Sequence, residues 1–148
     1  MKNCTVIVVG GGPAGMMCAL KLAQTGIKRV ILFDRNDRLG RKLSATGNGQ
    51  GNITNEDMSP RHYFSSSGGA EYVLGQFGKE KLLQFLRKLG GLFAPDREGR
   101  YYPASRQASS VTDLFRFALA ESGVEIRLGE KVLSACLLYT SDAADDLT

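Results

Sequence analysis

An apolar run, Val6-Ile7-Val8-Val9, passes without a break into Gly10-Gly11-Gly12-Pro13-Ala14-Gly15. No other stretch restricts the fold as much. A strand that turns at once into a helix needs a residue free of Cβ strain. A ligand lying on the turn needs a position without a side chain, and a helix packed on its own strand needs a third small residue. Gly10, Gly12 and Gly15 fill these places in the order G-x-G-x-x-G. Pro13 suits a first helical turn, where its missing N–H costs little. The free N–H groups and positive dipole end of that helix favour a pyrophosphate.

The flanking sequence strengthens the motif. Thr5 to Val9 reads as a buried parallel strand. Pro13 to Thr25 reads as a helix, with Ala14, Met17, Cys18, Leu20 and Leu22 as apolar surface and the small Ala19 at the sheet. Gly26 ends it. Arg29 to Phe33 is a second strand that closes on Asp34. A carboxylate there accepts hydrogen bonds from an adenosine ribose. It suits a 2′-hydroxyl and repels a 2′-phosphate, which favours FAD or NAD over NADP. Arg35 pulls the other way, since arginine accommodates a 2′-phosphate. Its plainer reading is a solvated residue opening the next loop.

A second glycine-rich stretch follows, from Leu39 to Asn55: LGRKLSATGNGQGNITN. Turn chemistry alone makes it a solvent loop. A loop leaving the carboxyl end of a parallel strand also lies beside the nucleotide crevice. Backbone N–H groups with Arg41 or Lys42 can close over a pyrophosphate. The amides of Asn48 and Asn52 can meet the polar edge of a flavin. The loop is expected in the cofactor site, with Leu43, Thr46, Gly47 and Gly49 among its contacts.

Beyond it, Glu71 to Phe77 and Lys79 to Leu89 read as helices, the second with Leu82, Leu83, Phe85, Leu86 and Leu89 on one stripe. Leu92 to Pro95 and Arg100 to Pro103 read as a hairpin around a polar turn. Ser109 or Ser110 is expected to cap a helix running to Glu121. Val124 to Leu128 is a third strand, expected to run on through Glu130, Lys131 and Val132. The pattern is that of an α/β nucleotide domain with an excursion between strands.

The chain has 148 residues, 43% hydrophobic and 23% charged, with net charge +4, enough for one domain of ordinary soluble composition. The early apolar run is too short to span a bilayer, and no signal peptide is visible. Cys4, Cys18 and Cys136 lack metal spacing. Cys4 and Cys18 are expected to be buried thiols in a reducing compartment, hence a cytoplasmic protein. The basic residues alternate with acids, so a solvated surface is favoured over a nucleic-acid face. His62, the single histidine, sits on a loop and reads as solvated. No catalytic constellation is visible.

The last residues, from Cys136 to Thr148, change composition and complete no element. Cys136 to Asp145 back-translates into codons that resemble a transposase sequencing adapter, so 136–148 is expected to be non-native and 1–135 the N-terminal part of the domain, a genuine disordered tail being the alternative.

The two glycine stretches together resemble the two-dinucleotide-binding-fold flavoproteins. More narrowly, the sequence is similar to the HI0933-like (BaiN/RdsA-type) family of NAD(P)/FAD-dependent oxidoreductases, from about Cys4 to Val132. The run G-R-K-L-x-x-T-G-x-G-x-x-N-x-T-N is the specific part. The resemblance implies a Rossmann-like FAD-binding domain of α/β class. It implies that Gly10, Gly12, Ala14 and Gly15, with Pro13 between them, line the FAD pyrophosphate. It further implies that Asp34 holds the ribose and that Arg41 to Asn52 approaches the pyrophosphate, ribityl chain and flavin ring. Val132 is implied to pair its backbone with adenine. NAD(P)H is the implied electron donor and a small molecule the substrate. Many relatives carry Arg-Cys where this chain has Gln50-Gly51, so a flavin-proximal thiol is not implied. Family members are much longer, with an inserted substrate domain and a C-terminal return that completes the FAD site. The chain alone is therefore expected to be inactive. An NAD-dependent dehydrogenase using the first site alone, and a non-catalytic nucleotide- or RNA-binding module, are the alternatives.

Overall fold

The computed structural model describes residues 4–64 and 68–136. Residues 65–67 and nearly all of the tail lie outside the described residues. Strand β1 (Thr5–Val9), helix α1 (Pro13–Gln24) and strand β2 (Arg29–Asp34) form the βαβ unit that the glycine junction predicts. Thr25 caps α1, its N–H and hydroxyl both donating to the Leu22 carbonyl. A one-turn helix α2 (Arg41–Ser44) then leads to the short strand β3 (Thr54–Asn55). Helices α3 (Gly69–Gln76) and α4 (Lys79–Lys88), strands β4 (Phe93–Pro95) and β5 (Arg100–Pro103), helix α5 (Ala108–Glu121) and strand β6 (Glu125–Leu128) complete the order.

Two three-stranded sheets result. The first is parallel, in the order β1-β2-β6, with Ile7 opposite Ile31 and Phe33 opposite Arg127. The second is antiparallel, in the order β3-β5-β4, and lies within the excursion between β2 and β6. The hairpin was legible from its polar turn; β3 was not, being two residues inside a glycine-rich loop.

The core gathers on one face of the parallel sheet. Val8, Val30 and Leu32 pack with Met16, Ala19 and Leu20 of α1, with Leu83, Phe85 and Leu86 of α4, and with Val111, Phe115 and Leu119 of α5. Side chains alternate across a strand, so the next residues along β1 point the other way. Ile7 is 57% exposed and Val9 62%. The expectation of a buried β1 is thus corrected: the strand is parallel, yet it is an edge strand covered on one side. Helix α1 is corrected in phase. Met16, Ala19 and Leu20 face the core, which turns Ala14 and Cys18 to the surface. Cys4 is exposed too, just ahead of the edge strand, so neither cysteine is the buried thiol that composition suggests.

Two further expectations change. Helix α5 starts at Ala108 with Gln107 as its N-cap and no side-chain cap. Ser110 instead meets Ser105 through a 2.8 Å hydroxyl pair. Strand β6 stops at Leu128, because Gly129 turns the backbone to φ +71°. Glu130, Lys131 and Val132 follow as exposed irregular chain, held to the end of β2 by Gly129 N–H donating to the Asn36 carbonyl and Glu130 N–H to that of Asp34.

Candidate functional site

The three motif glycines have three different local geometries. Gly10 donates its N–H to the Phe33 carbonyl at 2.7 Å, then turns with φ +105°, a conformation side chains resist. Gly12 is the N-cap of α1 in extended conformation, and a Cβ added there meets nothing within 4 Å. A Cβ on Gly15 would collide with the Gly10 carbonyl oxygen. One glycine serves the turn, one leaves open space and one lets helix and strand touch. No side chain caps α1, so its first-turn N–H groups are left without a side-chain acceptor.

Gly11 was missed, and the signal was there in a third consecutive glycine. Its N–H donates to Asp34 Oδ2 at 2.5 Å, and its carbonyl accepts from Gly40 N–H at 2.8 Å. A Cβ on it would strike Leu39. Gly11 therefore ties the turn to the end of β2 and to the start of α2.

Asp34 is 9% exposed, at the carboxyl end of the central strand. Burial pushes its pKa upward. The N–H groups of Asn36 and Gly11, the Asn36 amide and the nearby Arg35 charge more than offset this, holding the carboxyl below its ordinary range. Asn36 donates twice to Oδ1, from its backbone at 2.7 Å and its side chain at 2.8 Å.

These residues rim a cleft of about 650 Å³. Gly10, Gly11 and Gly12 line one side, with Val9, Phe33 and Asp34 at the strand ends. Arg35, Arg41, Lys42 and Lys131 bring four cations to it, and Glu130 one further acid. Among the described residues none of these four cations has a carboxylate within 4.0 Å. Val132 also lines the cleft, from irregular chain rather than from a strand end. Pro13, Ala14 and Gly15, in the first turn of α1, are not part of the cleft lining.

The second glycine stretch divides in two. Arg41, Lys42 and Ala45 line the cleft. The remainder fastens the antiparallel sheet and α5 onto the core. Leu43 is a core residue, and Thr46 donates its hydroxyl to the Lys42 carbonyl. Gly47 turns at φ +60°, where a Cβ would press on the Asn52 backbone nitrogen at 2.7 Å. Asn48 is left-handed at φ 54°, and the Gly49 carbonyl accepts from Ala108 N–H at 2.8 Å. The Asn52 amide donates to the carbonyls of Thr54 and Tyr101 at 3.2 and 3.3 Å. A Cβ on Gly51 would approach Ala108 Cα at 2.9 Å, so the loop packs closely on the start of α5 here. Composition marked the loop; only its contacts separate lining from fastening.

His62 is half-exposed, its Nε2 2.9 Å from Asp57 Oδ2, in a surface cluster with Arg61. Among the described residues no group of His, Cys, Asp and Glu could hold a metal ion, and no helix is long and apolar enough to cross a membrane.

The model of the HI0933-like protein Rossmann domain matches residues 4–143. The chain belongs to the HI0933-like family. It is 38% identical over 127 residues to the 3-dehydro-bile acid delta(4,6)-reductase of Clostridium scindens, covering 84% of this chain and 31% of that protein. It is 43% identical over 127 residues to the ribosomal RNA dihydrouridine synthase of Haemophilus influenzae, covering 85% of this chain and 31% of that one. The HI0933-like chain thus spans about a third of the length of these curated relatives. Among solved structures, THI4 of Thermovibrio ammonificans superposes with a TM-score of 0.57 at 20% identity, over 84% of this chain and 38% of the other. A flavocytochrome c3 fumarate reductase gives 0.53 at 19%, over 84% and 26%. These two likenesses bear on the fold, and the fold is that of a Rossmann domain.

Proposed function

We propose that the chain is the N-terminal part of an FAD-dependent oxidoreductase and that the cleft holds the adenosine and pyrophosphate of FAD. One observation carries the reading: Gly12 leaves open space at a helix start without a side-chain cap, between an ionised Asp34 and four cations without carboxylate partners among the described residues. A pyrophosphate needs donors without side chains in front of them, and a ribose needs an acceptor. Arg41, Lys42 and the first-turn N–H groups of α1 would hold the pyrophosphate. Asp34 would accept from the ribose, and the Val132 backbone would meet the adenine. When bound, the isoalloxazine supplies hydride chemistry; this chain binds and orients it.

NAD(P)H is the proposed donor, and a small molecule bearing a reducible ring double bond is the proposed acceptor. The bile acid reductase named above supports that choice. Ribosomal RNA is the second reading, favoured by the 43% identity to the dihydrouridine synthase, since a dihydrouridine is a uridine with two more hydrogens. Residues 1–135 are proposed as native and 136–148 as adapter-derived. By itself the chain is proposed to hold FAD weakly, because Ile7 and Val9 lie bare beside the cleft.

The test is flavin content in the full-length parent. A yellow protein is expected, with FAD lost in Gly12→Val and Asp34→Ala. Removing a charged acceptor costs about 1.5–3 kcal/mol, roughly ten- to a hundredfold in affinity. Unchanged FAD in both variants would overturn the assignment. Oxidation of NADH and NADPH with a steroid enone or with ribosomal RNA then separates the two acceptors.

A further inference from the structure

Asn36 lies two residues past Asp34, in the turn that leaves β2, and every polar group it owns is used. Its N–H and its Nδ2 both donate to Asp34 Oδ1, at 2.7 and 2.8 Å. Its Oδ1 accepts from Arg41 Nη1 at 3.2 Å. Its carbonyl accepts from Gly129 N–H at 2.9 Å. The Asn36 side chain thus joins the end of the central strand to the first residue of α2, and its backbone carbonyl adds the exit from β6, all around one cleft.

We propose that Asn36 is a positioning residue for the cofactor cleft, holding the Asp34 carboxylate and the Arg41 guanidinium at separate stations on its two amide atoms. An amide suits this because it carries a donor and an acceptor side by side. Aspartate lacks the donor, and alanine lacks both. With the amide in place, Asp34 Oδ1 is fully engaged while Oδ2 meets only Gly11 among the described residues, which leaves Oδ2 able to accept from a ribose. Arg41, in turn, spends one N–H on Asn36 and keeps the others for phosphate oxygens. Asn36 would therefore act through these two residues without touching the reacting atoms. The inference rests on the FAD reading above for its ligand, though not for the contacts themselves.

The experiment uses the full-length parent. Asn36→Ala is expected to weaken FAD binding about tenfold. In a double-mutant cycle that loss should shrink when Asp34→Asn is already present, as coupled neighbours require. Asn36→Asp is nearly isosteric and keeps the acceptor for Arg41, but it sets a like charge against Asp34. Arg35, Arg41, Lys42 and Lys131 also line the cleft, with Glu130 the one further acid. The new carboxylate is expected to move the acid limb of FAD affinity upward by about one pH unit. Carbon NMR of the Asp34 carboxyl in the apoprotein should show the same upward shift with no flavin present. If both variants leave FAD affinity and the Asp34 titration unchanged, or if Asn36→Ala adds in full to Asp34→Asn, the proposal falls. A folded parent that takes up no FAD overturns the cofactor reading alone, and the apoprotein titration still decides the role of Asn36. Should Asn36→Ala fail to fold, Asn36→Asp carries both measurements.

Discussion

The two faces of the parallel sheet differ more than their sequence suggests. On one, Leu32 is fully buried and Val8 is 9% exposed beneath α1 and α5. On the other, Ile7 and Val9 stand open, while β2 carries Arg29 and β6 carries Glu125 and Arg127, linked by ion pairs of 2.8 and 2.5 Å. Ile31 stays 8% exposed only because it sits in the middle strand between its neighbours. The same few strands thus hold a packed core on one side and an apolar surface on the other. An unbroken apolar run marks a strand meant to be covered twice, and this chain covers it once.

The sharpest way to break the comparison is a matched pair of truncations. Leu32→Ala removes a side chain with no exposure and should cost about 2–5 kcal/mol in urea denaturation. Ile7→Ala, one strand away on the bare face, should cost about 0.5 kcal/mol. Equal losses would mean that another surface covers Ile7.

A second pair separates packing from open space at the glycine turn. Gly15→Ala drives a Cβ into the Gly10 carbonyl and should lower stability by about 1–3 kcal/mol. Gly12→Ala meets no protein atom within 4 Å and adopts an allowed backbone, so the melting point should hold within a few degrees. Parallel losses would show that Gly12, too, is a packing residue.

The glycine-rich loop gives the third test. Asn52→Leu loses two hydrogen bonds to backbone carbonyls and should destabilise by about 1–2 kcal/mol. Asn48→Gly, at a left-handed position, should leave stability within about 0.5 kcal/mol. The reverse order would put the structural anchor at the tip of the loop rather than at its end.

The smallest effect is a pH dependence. The folded pKa of Asp34 lies below its unfolded value, so its contribution is full above the ordinary carboxylate range. It is lost as pH falls through the depressed folded value. Stability should therefore drop on acidification below about pH 4, and Asp34→Asn should flatten part of that drop. Urea midpoints at neutral pH and near pH 3 measure it. An unchanged slope would mean that the Gly11 and Asn36 hydrogen bonds do not favour the ionised form.

Much of the βαβ unit was legible, because its signals are local. Positive φ at Gly10, contact at Gly15 and a carboxylate closing β2 each follow from neighbours in the chain. The apolar stripe of α4 was legible for the same reason, with Leu83, Phe85 and Leu86 all buried. The phase of α1 was misread because Met16 and Met17 offer the same chemistry on different faces, and only the position of the sheet chooses between them.

Sequence by itself determined the Rossmann βαβ unit, the acid at the end of β2 and the family, since these depend on residues a few positions apart and on their spacing. Tertiary structure alone decided which half of the Leu39–Asn55 loop lines the cleft, that Asn36 bridges Asp34 and Arg41, and that β1 has a bare face. Each of these depends on groups brought together from distant segments: Tyr101 against Asn52, Ala108 against Gly49 and Gly51, Gly129 against Asn36. Hydrogen bonds and burial act over a few ångströms of space, and no spacing along the chain encodes which distant backbone will arrive there.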